Sequence, residues 1–152
     1  MSRGPLTSGR AQKGIPIGNP SEEQFVNIFV QTNRRVRCLF ELGSPKRRRD
    51  FLNRLCHDYE TVFDERYLVE LAKPNSDVEA LEKILTPNGA GKICRVISFC
   101  EELDGKEMNL SEALRLSIGY GFPSVLICTP SLAYFEAEQL QGPPPRFILR
   151  KK

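Results

Sequence analysis

Residues 124–129 read Ser-Val-Leu-Ile-Cys-Thr, a β-branched and apolar run followed at once by the turn residues Pro130-Ser131. Such a run is a buried strand. Its lack of polar alternation implies cover on both faces, or a contact between two copies of the chain. Downstream, Leu132–Glu138 (LAYFEAE) returns antiparallel, Gly142-Pro143-Pro144-Pro145 makes a stiff loop, and Arg146–Arg150 (RFILR) is a last strand. Upstream, Ile93–Phe99 (ICRVISF) is a second central strand and Leu103–Lys106 a turn. Asn109 or Ser111 caps a short helix that runs to about Ile118, where Gly119-Tyr120-Gly121 breaks it.

The first half of the chain has the helical period instead. Ser21-Glu22-Glu23-Gln24 has the form of a capping box, and Phe25, Ile28, Phe29, Thr32, Val36, Leu39 and Phe40 then recur at three-four spacing up to Gly43. Gly43-Ser44-Pro45 is a joint: Gly ends one helix, Ser44 caps the next, and Pro45 fits its first turn. That second helix runs to about Tyr59 with Phe51, Leu52, Leu55 and Tyr59 as its stripe. Arg66–Leu71 is a short strand, Ser76-Asp77-Val78-Glu79 opens another helix, and residues 86–91 (TPNGAG) are a loop. No internal repeat is present. The expected fold is α+β, an N-terminal helical hairpin packed on a C-terminal, mainly antiparallel sheet of three to five strands. The helical part covers about 21–86 and the sheet about 92–151, in one domain of residues 21–152. Residues 1–20, rich in Gly and Pro and poor in apolar side chains, read as a disordered basic arm.

Composition narrows the function classes. The 152 residues suit one domain, with 40% hydrophobic and 27% charged residues. No run is long and apolar enough for a membrane span, and Met1–Pro20 lacks the apolar middle of a signal peptide. Five cysteines, Cys38, Cys56, Cys94, Cys100 and Cys128, sit among apolar residues without CxxC spacing. They read as reduced thiols of a cytoplasmic protein rather than as a disulfide or zinc framework.

Net charge is only +3, yet it is polarised along the chain. Residues 34–54 carry eight cations against two carboxylates, whereas residues 57–112 carry thirteen carboxylates against six cations. Lys46-Arg47-Arg48-Arg49 falls on the expected opening turn of the second helix, where the dipole favours carboxylates, beside Arg34, Arg35 and Arg37 of the first. Their repulsion is offset either by the chain's own carboxylates, such as Glu65 and Glu70, or by an external anion.

The other chemistry-bearing residues point to no reaction. Cys56-His57-Asp58 has the residue types of a thiol nucleophile, but neighbours on a helix point about 100° apart and cannot face one another. Glu101, Glu102, Asp104 and Glu107 lack the spacing of a calcium loop. Glu136 and Glu138 share one strand face as polar residues do. Gly-rich residues 86–92 precede a strand, not the helix that a phosphate cradle needs. Gly119-Tyr120-Gly121-Phe122-Pro123 pairs flexible glycines with two aromatics, the makings of a partner edge or of a plain helix-to-strand connection.

The resulting expectation is a small cytoplasmic, non-catalytic interaction protein without cofactor or metal. It docks a protein partner through Arg34, Arg35, Arg37, Lys46, Arg47, Arg48 and Arg49, and no membrane is involved. One alternative is nucleic-acid binding through the same patch. Another is an enzyme whose site is assembled from distant residues such as Cys56, His57, Asp104, Glu107 and Glu136. Self-association of basic helices with acidic segments is a further partner class.

Overall fold

The computed structural model describes residues 18–151. The expected basic arm, residues 1–20, lies outside the described residues as far as residue 17.

Three helices come first: α1 (Pro20–Phe29), α2 (Arg35–Gly43) and α3 (Arg48–Val62). The continuous helix predicted from Ser21 to Gly43 is thus two helices. Asn19, not Ser21, caps α1: its side chain accepts the Glu22 N–H, and Pro20 occupies the first turn, where its missing N–H costs nothing. The break follows Phe29, because Val30 takes extended backbone and bridges Phe63. A 3₁₀ turn at Thr32–Arg34 then leads into α2. At the next joint the N–H groups of Arg47 and Arg48 both bond the Ser44 carbonyl. The turn delays α3 until Arg48, so only Arg48 and Arg49 of the basic run lie in its first turn, together with Asp50.

The remaining elements are β1 (Leu68–Glu70), α4 (Val78–Leu85), β2 (Ile93–Ser98), β3 (Glu107–Asn109), α5 (Leu110–Ser117), β4 (Ser124–Thr129), β5 (Leu132–Glu136) and β6 (Arg146–Arg150). Asp77 caps α4 and Asn109 caps α5, each accepting an N–H of the first turn. The strands form one sheet in the order β1-β6-β5-β4-β2-β3, every neighbouring pair antiparallel. The fold is α+β as expected, but among the described residues the sheet has six strands rather than three to five. The extra edge strand is β3, three residues without apolar alternation.

The sheet is covered on both faces, as the apolar run 124–129 implied. Ile97, Val125, Ile127, Ala133, Phe135, Phe147 and Leu149 pack with α1, α2 and α3. Their strand neighbours Val96, Leu126, Tyr134 and Ile148 pack with α4 and α5. Alternation between two apolar layers is why these strands show no polar period. The first layer is aromatic: Phe135 has ring centroids of Tyr59, Phe63 and Phe147 at 5.3, 5.1 and 5.8 Å.

Truncating the ring at the middle of this layer removes several aromatic contacts at once. Phe135→Ala is expected to cost about 3–5 kcal/mol in urea denaturation. A loss below about 1 kcal/mol, the scale of a surface change, would contradict this placement of the core.

Candidate interaction surface

The basic segment is divided by the fold into an internal half and an outward half. Arg48, at the start of α3, points inward. Its Nη1 donates to Glu22 Oε1 at 2.7 Å and to the Leu42 carbonyl at 2.9 Å. Nη2 donates to Glu22 Oε2 and to Asp104 Oδ1, both at 3.0 Å, and Nε to Asp104 Oδ2 at 2.8 Å. Arg95 of β2 adds its Nε to Glu22 Oε2 at 2.9 Å. Asp104 is itself held by the Ser98 N–H at 3.0 Å. It sits beside Gly105, whose φ of +76° suits the reversal between β2 and β3. Two guanidinium groups and two carboxylates therefore balance in charge, with Glu22 buried. Burial alone favours the neutral guanidine of Arg48, but its hydrogen bonds to Asp104 and Glu22 outweigh that and raise the pKa above the ordinary arginine value.

Arg37 and Arg54 are used in the same way. Both donate to Glu41 Oε2, Arg37 at 3.1 Å and Arg54 more closely, and Glu41 is buried. Arg35 turns its Nε to the Val30 carbonyl at 2.9 Å, closing the break between α1 and α2. The carboxylates that neutralise the segment internally are thus Glu22, Glu41 and Asp104. The partners suggested by sequence, Glu65 and Glu70, form no ion pair with it among the described residues.

The outward half is Lys46, Arg47 and Arg49, all exposed, with half-buried Arg34. Arg47 reaches Asp50 at 3.4 Å across the exposed first turn, a pair worth little in water. Among the described residues no carboxylate lies within ion-pair distance of Arg34, Arg35, Lys46 or Arg49. Arg49 instead lies over the ring of Phe99, 5.1 Å from its centroid. Phe99 continues to Phe122 at 5.5 Å, and Phe122 to Tyr120 at 6.1 Å. Phe122 and Tyr120 are 47% and 43% exposed, too open for core rings. On α2, Val36 and Phe40 are exposed one turn apart.

A buried ion network anchors the aromatic edge. Glu136 Oε2 accepts the Gly119 N–H at 3.1 Å. Its Oε1 accepts from Tyr134 Oη and Arg146 Nε, each at 2.9 Å. Arg146 Nη1 then donates to Asn75 Oδ1 at 2.8 Å, and Asn75 to the Leu71 carbonyl at 3.2 Å. Burial first, and the Glu136 carboxylate second, raise the Tyr134 phenol above its ordinary pKa, so this tyrosine stays a hydrogen-bond donor.

Two residues of a distributed catalytic site, Asp104 and Glu136, are held in separate networks. Asp104 is bound to Arg48 and Ser98, whereas Glu136 is bound to Tyr134 and Arg146. His57 is exposed, and among the described residues no hydrogen bond joins it to Cys56. Cys56 has its thiol raised by burial and then by the Glu138 carboxylate, the reverse of an activated nucleophile. Among the described residues no three His, Cys, Asp or Glu side chains gather as a metal site, and no helix is long and apolar enough to cross a membrane.

Sequence reasoning noted both the basic run and the Gly119–Pro123 edge, but not that Arg49 meets Phe99 beside that edge. The separation of 50 residues between Arg49 and Phe99 leaves no local signal. Comparison with family models, with curated proteins and with solved structures finds no match for this chain.

The division of the cations has a direct consequence for stability. Glu41→Gln removes the buried carboxylate shared by part-buried Arg54 and exposed Arg37 and is expected to cost about 1–3 kcal/mol in chemical denaturation. Arg47→Gln and Arg49→Gln should each stay within about 1 kcal/mol. Equal losses at all three positions would contradict the division.

Proposed function

We propose that this protein is a non-catalytic interaction protein of the cytoplasm that docks an acidic segment of a protein partner. The docking surface is the outward half of the basic segment, Lys46, Arg47 and Arg49, extended by Phe99, Phe122 and Tyr120. Arg35 and Arg37 of α2 and Arg34 of the turn before it support it electrostatically, while Arg48 serves the fold. The observation that carries this reading is Arg49: an exposed guanidinium without a carboxylate partner among the described residues, resting on a ring that leads to two open aromatic side chains. Exposed cations steer an acidic partner, and the adjoining aromatic rings supply apolar contact area. Arginine and aromatic residues are also the residues enriched at binding hot spots.

The same Arg49–Phe99–Phe122 stack favours a second reading, binding of single-stranded nucleic acid with bases stacked on the rings. A peptide of glutamate, aspartate and phenylalanine and a single-stranded RNA oligonucleotide, both fluorescein-labelled, separate the two by anisotropy at low salt. The peptide is expected to bind, to weaken as salt rises, and to lose about tenfold in affinity, near 1.4 kcal/mol, in the Lys46→Gln/Arg47→Gln/Arg49→Gln variant. Binding of the oligonucleotide alone would replace the first reading by the second. Binding of neither would overturn both.

A further inference from the structure

β2 and β4 pair with Arg95 opposite Ile127, Val96 opposite Leu126 and Ile97 opposite Val125. The next position in this register sets Cys94 against Cys128. The orientation of that pair follows from the backbone. Val96 donates its N–H to the Lys106 carbonyl at 2.9 Å and accepts the Gly105 N–H at 2.8 Å, so both its polar groups point away from β4. In an antiparallel strand this direction recurs every second residue, so those of Cys94 point the same way. Cys94 and Cys128 are therefore a non-hydrogen-bonded pair, the kind whose Cα atoms approach to about 4.5 Å. That spacing lies inside the window of about 4.4–6.8 Å that a disulfide spans.

Two further observations support this pairing. Both side chains face the layer that holds α4 and α5. On its other side β4 bulges against β5: Ile127 faces Ala133 and Thr129 faces Leu132, so Cys128 has no partner there and its backbone has room to adjust. Both cysteines are free thiols.

We propose that Cys94 and Cys128 form a two-electron oxidation site that closes as a cross-strand disulfide when the protein meets hydrogen peroxide. The oxidant is small and neutral, as a buried thiol beside a part-buried one requires. Cys128 is the more exposed of the two and reacts first. Its sulfur attacks one peroxide oxygen, the S–O bond forms as the O–O bond breaks, and the departing hydroxide takes the thiol proton as water. Cys94 sulfur then attacks the sulfenic sulfur, the S–S bond forms as the S–O bond breaks, and a second water leaves with the Cys94 proton. Two thiols and one peroxide become one disulfide and two waters.

The environment sets the character of this site. Burial pushes the Cys94 thiol up to about 12, and burial with the neighbouring Cys94 does the same to Cys128. Thiolate is scarce, so closure is slow. The same scarcity denies the dithiol form the ionic stabilisation that makes some disulfides strong oxidants, so the bond resists reduction once formed. The pair acts as a slow, durable lock between β2 and β4. It is independent of the docking surface.

The test uses the full-length wild-type protein. It is held with hydrogen peroxide while circular dichroism confirms that it stays folded, then denatured, alkylated and digested for mass spectrometry. The expected product is a Cys94–Cys128 cross-linked peptide, two hydrogens lighter than the sum of its parts and restored by dithiothreitol. Cys38 and Cys56 should stay alkylatable, and Cys94→Ala should leave Cys128 as a sulfenic or sulfinic acid. Oxidised Cys128 beside freely alkylated Cys94 in the wild-type chain would overturn the proposal. So would a bridge from either residue to Cys100 or to a second copy.

Discussion

The rest of the structure depends on the guanidinium of Arg48, clamped between Glu22 and Asp104. Neither carboxylate is near it in sequence: they lie 26 residues before and 56 residues after it. Through this group the first turn of α1, the first turn of α3 and the turn between β2 and β3 are held at one point, and Arg95 adds the strand itself. A carboxylate taken from water at such a place is costly unless it is paired and hydrogen-bonded. The arrangement therefore excludes packings of the helices that leave Glu22 or Asp104 alone, and it fixes where α3 lies on the sheet.

This constraint resolves the electrostatic conflict that the sequence presents. Seven cations in residues 34–49 repel one another if all of them face solvent. The fold turns Arg48 inward, shares Glu41 between Arg37 and Arg54, and spends Arg35 on a backbone carbonyl. It also starts α3 three residues later than the joint at Ser44 suggests, so that Lys46 and Arg47 precede the helix and escape its dipole. What remains outside is a smaller set, Lys46, Arg47 and Arg49, next to open aromatic rings. The proposed docking reading rests on this remainder and not on the whole basic run.

Much of the fold was legible because it is governed by local patterns. The apolar runs 93–98, 124–129, 132–136 and 146–150 are strands, and their missing polar alternation is explained by helices on both faces. Asp77 and Asn109 cap helices where cap residues stand in the sequence. The errors arose where distant contacts decide. Val30 leaves the helix because it bridges Phe63, and nothing between residues 21 and 43 announces that. β3 is Glu-Met-Asn, polar at two of three positions, and becomes a strand because β2 offers it an edge. The sequence offers Glu65 and Glu70 as partners of the basic segment because they belong to the acidic stretch that follows it. Glu22, read from the sequence as part of a capping box, and Asp104, read as one of a group of loop carboxylates, are the ones the tertiary structure brings in, together with Glu41.

The claim that Glu22 and Arg48 form one buried, energetically coupled unit is tested most directly by a double-mutant cycle in urea denaturation with Glu22→Gln, Arg48→Met and the pair. Each single change orphans a buried partner, so the account predicts that the double variant loses less than the sum of the two singles, by more than about 1 kcal/mol. Additivity within about 0.3–0.5 kcal/mol would contradict it, for the two side chains would then be acting as independent groups.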